Sequence, residues 1–532
     1  MTPRRLARKP LFAPRAAVAT SQPLAASAGL AVLRKGGSAV DAALATAITL
    51  TVVQPTSNDI GGDLFALVWD GSALHGLNGS GRSPAALTLD ALAGHPAMPA
   101  RGWLPVTVPG TPAAWRDLHA RFGALPFADL FLDAIHYAEH GFPVSPTTAL
   151  AWRRAAETLH PTLTGPEFAE WARVFAPGGR APRAGERHRN PDKARSLRLI
   201  AESGAGAFYH GELAASIGSY AARTGGLLTT EDLAKHASSW VDPISARYRN
   251  HEVWELPPNG QGLAALLALQ VLDGFDFDDA PLELRLHRQI EAMKLGFADA
   301  RAFVADPDFA PAPLAALLSP EYAAKRRSLI TDVAGDPVPG DPLRGGTVYL
   351  AAADQYGMMI SLIQSNFNGF GSHVVVPGTG FTLQDRGVGF VLEPGHPNVV
   401  GPGRRPFHTI IPGFLTRDGA PVGPFGVMGG HMQPQGHVQI VASTVDRGLD
   451  PQAALDEPRW RWHAGPAVTV EPEHLETAEG RAAIDRLRAR GHEVTVVDGA
   501  EAFGYGQAIW RHPDGGYVAG TEPRADGVAL GY

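Results

Sequence analysis

The sequence predicts a layered α/β or α+β body, on three observations. Helix-like and strand-like segments occur in both halves of the chain instead of being segregated. A chain of 532 residues that is 45% hydrophobic and 19% charged can build a large core or two to three domains. Its 61 glycines and 45 prolines predict many turns and irregular loops between the elements.

The elements follow in chain order. "SAVDAALATAITLTVVQP" predicts a helix, with Gly36-Gly37 as the turn and Ser38 as N-cap. Its apolar residues run all round, which marks a buried helix. "GGDLFALVWDGSALHGLNGSG" reads as strand, Asp70-Gly71 turn and strand. Residues 113–140 and 145–158 read as helices, and 159–195, rich in Pro, Gly and Arg, as an irregular excursion. The spacing in "LHRQIEAMKLGFADARAFVAD", 286–306, predicts an amphipathic helix. Residues 331–346, "TDVAGDPVPGDPLRGG", hold three prolines, four glycines and three aspartates without an apolar period, and read as a linker. Then "TVYLAAAD", "QYG" and "MMISLIQS" make a strand, a turn and a strand. More β-like runs come at 374–384 and 421–428. A helix at 475–491, a strand "EVTVV" and a β-rich end complete the chain.

Composition narrows the chemistry. The sequence has no cysteine, so disulfides, thiolate nucleophiles and thiolate metal sites are excluded. A nucleophile must be Ser, Thr, Lys or a carboxylate. A net charge of −7 does not point to nucleic acid. The basic start "MTPRRLARKPLFAPRAAVAT" looks like a leader, but Pro10, Pro14 and Arg15 break its apolar core. The longest apolar stretch, 42–53, is too short to span a bilayer. The expectation is a cytoplasmic protein with no membrane partner.

Three stretches carry candidate chemistry. In "PLRGGTVYLAAAD", 342–354, Gly345-Gly346 precede Thr347 at the head of a strand. A tight turn is the plain reading. The alternative is self-cleavage between Gly346 and Thr347, which would free an α-amine to act as base for the Thr347 hydroxyl. In "VMGGHMQPQGHVQI", 427–440, Gly429 and Gly430 link a strand to a helix. Their N–H groups could form an oxyanion hole, a phosphate site or only a turn. His431 and His437 lack metal-ligand spacing and a nearby acid. In "NGSGRSPAALT", 78–88, Arg82 is either a surface arginine or a fork for a substrate carboxylate.

These stretches occur together, and in order, with "PLAASAGLAVLRKGGSAVDAALA", "VVQPTSNDIGGDLFALVWDG", "VPGTPAAW", "GAGAFYHGELA", "GGLLTTEDLAKH", "LPPNGQGLAAL", "HRQIEAMKLGFADARAFVADPDF" and "FGSHVVVPGTGFTLQDRGVGF". On these markers the chain resembles the γ-glutamyltranspeptidase family of N-terminal-nucleophile hydrolases over nearly its whole length. The resemblance implies a four-layer αββα sandwich, made as one precursor. It implies cleavage into 1–346 and 347–532, two fragments that stay together as one intertwined unit. It gives Thr347 as nucleophile, Ser365 as its supporting hydroxyl, Gly429 and Gly430 as the oxyanion hole, and Arg82 as the group that binds the donor's α-carboxylate. The substrate would be a small-molecule amide, and water or an amine would accept the acyl group. No metal and no organic cofactor are implied.

The chain also departs from the family pattern. Where glutathione-cleaving members hold the γ-glutamyl ammonium with an acidic or amide side chain and an aspartate, this sequence has Arg386 and Gly389. The amine-contacting asparagine falls on Phe367. The paired carboxylate-binding serines fall on His408 and Thr409. The loop between Phe390 and Arg404 is short, as in a site without a lid. A cation beside an ammonium is repulsive, so an acylase or oxamate-type amidohydrolase whose anionic acyl group lacks the α-amine is the alternative expectation. Cephalosporin acylases and an oxamate amidohydrolase are the precedents within the family. The leading expectation is a self-cleaving N-terminal-threonine amidohydrolase that cleaves a γ-glutamyl-type or related amide through an acyl-enzyme, like a glutathione hydrolase, and a non-catalytic binding relative is the remaining alternative.

Overall fold

The helix expected after Gly36-Gly37 spans Ala39–Val53, and every residue in it is buried. Ser38 and Asp41 cap it reciprocally: the Asp41 N–H donates to Ser38 Oγ (3.1 Å) and the Ser38 N–H donates to Asp41 Oδ2 (3.0 Å). This computed structural model describes residues 8–336 and 346–532. Most of the linker, Gly345 included, lies outside them.

Two seven-stranded antiparallel sheets form the centre. One runs Leu11–Ala13, Tyr517–Thr521, Tyr505–Arg511, Ala420–Met428, Gly413–Arg417, His251–Glu255, Ile244–Tyr248. The other runs Val528–Gly531, Ala17–Thr20, Gly346–Ala353, Met359–Phe367, Asp63–Trp69, Leu74–Asn78, Ser239–Val241. Each sheet contains strands from both sides of residue 346.

Side-chain alternation builds the layers. In the strand starting at Gly346, Val348, Leu350 and Ala352 join the core shared with the helix Ala39–Val53. Tyr349, Ala351 and Ala353 face inward and pack with Phe414, Met428 and Ile509 of the other sheet. On that sheet's outer face, Leu415, Phe425 and Val427 pack on the helices Gly262–Asp273, Leu282–Phe303 and Met432–Val445. The order is helix, sheet, sheet, helix: the expected αββα sandwich.

Some local expectations need correction. Residues 113–140 are not one helix but Thr111–Phe122 and Leu132–His140, joined by a 3-10 turn. The irregular stretch 159–195 contains a helix at Ala169–Phe175 and the start of another at Pro191–Ser203. The run 374–384 forms no strand; it makes only isolated bridges, Val375 to Thr382 and Gly61 to Leu383. The helix at 286–306 extends over Leu282–Phe303 and is central, not amphipathic, because Lys294 and Glu291 are buried as an ion pair (2.7 Å). Tertiary pairing satisfies charges that the spacing assigned to a wet face.

Candidate active site

Thr347 is the second residue of the central strand Gly346–Ala353, and the register slips there. Gly346 pairs with Phe367 but Val348 pairs with Gln364, so Thr347 faces both Ser365 and Asn366. A bulge of this kind re-aims a side chain. The Thr347 and Ser365 hydroxyls lie 3.0 Å apart, both fully buried. The Phe367 N–H donates to Ser365 Oγ (2.8 Å). Phe367 itself sits at φ +76°, a strained angle for a bulky residue.

The glycine pair lies at the same end of the sandwich. Met359, opposite Ala353, packs under Gly423, and the Tyr349 ring packs under Gly426, where a Cβ would come within 2.4 Å of the ring. The strand that runs back toward Thr347 thus lies along the strand that runs forward toward the Gly429–Gly430 turn. Both glycines have positive φ (+132° and +61°), which other residues rarely adopt. Gly429 also lines a cavity of about 590 Å³ with Thr56, Ser57, Arg461 and Tyr505. A larger cavity of about 920 Å³, among Asp273, Arg285 and Arg447, includes none of these site residues.

Gln261 ties this turn to Thr409. Its amide donates to the carbonyls of Gly430 (2.9 Å) and Thr409 (2.6 Å), and its oxygen faces His431 Nδ1 (3.0 Å). His437 Nδ1 instead meets Glu255 (2.6 Å). The two histidines therefore face different partners and form no metal site together. Among the described residues, one His/Glu group converges, His287, Glu291 and His492, with ligand atoms within 4.8 Å. The Lys294 ammonium already neutralises its carboxylate (2.7 Å).

Arg386 sits in the 3-10 turn Arg386–Gly389 and is buried. One terminal nitrogen donates to Thr409 Oγ1 (2.8 Å), and the guanidinium lies over the Phe367 ring, 5.0 Å from its centroid. Among the described residues, its Nε and its other terminal nitrogen have no hydrogen-bond partner. Burial lowers its pKa to about 10, opposed by the charges of Asp63 and Asp385. Gly389 leaves no room for an acid, because a Cβ there would come 2.2 Å from the Phe407 carbonyl oxygen.

His408 is buried, stacked on Phe65 with ring centroids 4.6 Å apart, and its Nε2 meets Asp63 Oδ2 (3.1 Å). Burial, then the Arg386 and Arg405 charges, push its pKa well down, so it is neutral. Asp63 was not among the residues expected in the site. It opens the strand Asp63–Trp69 opposite Ser365, and burial raises its carboxyl to about 7. The signal in the sequence was a lone acid at the head of the apolar run "DLFALVW".

Arg82 is held by the protein's own carboxylates. It pairs with Asp306 (2.8 Å) and Asp308, and donates to the Gly403 carbonyl (2.9 Å). The residue expected to grip a substrate acid here clasps the 306–308 and 401–405 loops together.

The model of the gamma-glutamyltranspeptidase family matches residues 25–532. The chain belongs to this family. The "Glutathione hydrolase-like YwrD proenzyme" of Bacillus subtilis is 38% identical, over 96% of this chain and 97% of its own. The "Oxamate amidohydrolase proenzyme" of Klebsiella pneumoniae is 36% identical, with the same two coverages. The crystal structure of a cephalosporin acylase from Bacillus halodurans superposes with a TM-score of 0.95 at 50% identity, covering 100% of this chain and 98% of that one. As a member of the gamma-glutamyltranspeptidase family the chain is an enzyme, a hydrolase of the N-terminal-nucleophile type. No helix among its described residues is long and apolar enough to cross a membrane.

Proposed function

We propose that the chain cleaves itself before Thr347 and then hydrolyses an amide whose acyl group ends in a carboxylate and lacks an α-amine. In the first step the Thr347 hydroxyl attacks the Gly346 carbonyl. The peptide becomes an ester, and water hydrolyses it to leave a free Thr347 amine. That amine then takes the Thr347 hydroxyl proton as the oxygen attacks the substrate carbonyl. The Gly429 and Gly430 N–H groups stabilise the oxyanion, and the departing amine receives the proton. Water releases the acid. The two fragments, 1–346 and 347–532, stay joined through sheets to which both contribute strands.

The observation that carries the substrate class is Arg386. A buried guanidinium with two nitrogens that have no hydrogen-bond partner among the described residues favours an anion and repels an ammonium. Arg82, the alternative receptor, is already neutralised by Asp306 and Asp308. Relatives named oxamate amidohydrolase and acylase stand in this family beside those named glutathione hydrolase. The test is turnover of glutaryl p-nitroanilide against γ-glutamyl p-nitroanilide by protein whose two fragments have been verified by intact mass. The glutaryl compound should be preferred at least tenfold. Preference for the γ-glutamyl compound would return the enzyme to glutathione-type chemistry.

A further inference from the structure

The proposed reaction leaves one buried pair beside Arg386 unused. Asp63 and His408 meet at 3.1 Å, and both are fully buried. His408 Nδ1 accepts from the Ile410 N–H (3.4 Å), so Nε2 carries the hydrogen and donates to Asp63. The Gly110 N–H donates to the other Asp63 oxygen (3.0 Å). Thr409, the next residue, receives Arg386 (2.8 Å). The pair and the guanidinium are thus anchored on adjacent residues of one segment.

We propose that the Asp63–His408 pair takes up one proton when an anionic acyl group binds Arg386, so that Asp63 is a specificity residue acting through charge. The inference rests on the reading of Arg386 given above.

The argument is charge balance in a buried space. The groups facing Asp63 are Arg386 and Arg405, with neutral His408 and Tyr209. Asp385, held by Arg101 (2.9 Å), faces Arg386 from the far side. Arg405 in turn faces Arg82, Asp306 and Asp308. Four arginines and four aspartates cancel. An incoming carboxylate adds one uncompensated negative charge out of reach of water, which is costly. A proton from solvent removes that cost. Asp63 is its natural site because its carboxylate is met by the backbone N–H groups of Gly110 and Gly81 and by a neutral ring, so protonation there breaks no direct ion pair. Asp385 would lose Arg101. In the empty site the Asp63 carboxyl titrates near 7. A second anion nearby raises it further, so uptake is expected just above neutral pH.

Calorimetry of glutarate binding to the self-cleaved enzyme tests this at pH 8, in phosphate and in Tris, whose protonation enthalpies differ. The expected result is uptake approaching one proton per site, and a Kd rising up to tenfold per pH unit above pH 7. D63N should still bind glutarate but lose both effects. H408L, a second variant should D63N fail to fold, removes a donor from the carboxylate. The residue should then hold its proton in the empty site, and uptake at pH 8 should fall. Binding without uptake overturns the inference alone. So does equal uptake in D63N and wild type, because the proton would then belong to the Thr347 amine, which ionises in the same range. No binding of glutarate, or unchanged binding by R386L, overturns the inference together with the reading of Arg386.

Discussion

The hydroxyls of Thr347 and Ser365 lie 3.0 Å apart across neighbouring strands, at the one place where the register of those strands slips. T347A should leave a single uncut chain on a denaturing gel, while T347S still cleaves. S365A should cleave and turn over about tenfold more slowly, the loss of roughly one hydrogen bond of about 1–2 kcal/mol. Fragment formation followed by intact mass checks both. Uncut wild-type protein after long incubation would sink the proposed processing.

Among the described residues, Nε and one terminal nitrogen of Arg386 have no hydrogen-bond partner, which is the basis for proposing it as the acyl carboxylate's receptor. R386L should raise KM for a glutaryl anilide by roughly 10²-fold, from charge-assisted bonds of about 1.5–3 kcal/mol each. A neutral butyryl anilide should lose far less. Equal losses on both substrates would mean that Arg386 supports the fold and does not read the acyl group.

Arg82 should act chiefly on stability. R82A strips Asp306, which is 2% exposed, of its guanidinium. The expected cost is about 1–3 kcal/mol for a buried acceptor left under-satisfied, read as a lower urea midpoint. The exposed Asp308 contact should add little. A large rise in KM with an unchanged midpoint would instead make Arg82 a substrate receptor.

Asp63 carries a pH signature in folding as well as in binding. Its folded pKa, about 7, lies above the ordinary value of 3.8. The folded chain therefore holds a proton that the unfolded chain releases between those values. The stability that Asp63 contributes is complete below about pH 4 and is lost as pH rises to 7, by at most about 1.4 kcal/mol per unit. D63N should be insensitive to this effect, so its urea midpoint relative to wild type should rise from pH 5 to pH 8. A constant difference would place the Asp63 pKa near its ordinary value.

Much of the fold was legible because it depends on neighbours in sequence. The Ser38 cap, the all-apolar helix after it, the Asp70-Gly71 hairpin and the strand–Gly429-Gly430–helix turn all follow from local periodicity and turn chemistry. The run 374–384 misled for the same reason. It has β-like residues but, apart from isolated bridges, no continuous neighbouring strand to pair with, and pairing is a tertiary property.

The substrate side was legible only as residue types. Arg82 and Arg386 are both arginines in loops, and the sequence by itself named both as candidates. It also determined the family, through ordered markers, and the strand that begins with Thr347. Only the tertiary structure decided which arginine is neutralised. Asp306 and Asp308 reach Arg82 from more than two hundred residues away, and Asp63 meets His408 across 345. The availability of a charge depends on which opposite charges the fold brings within a few ångströms and how much water it removes, and neither quantity is written in local sequence.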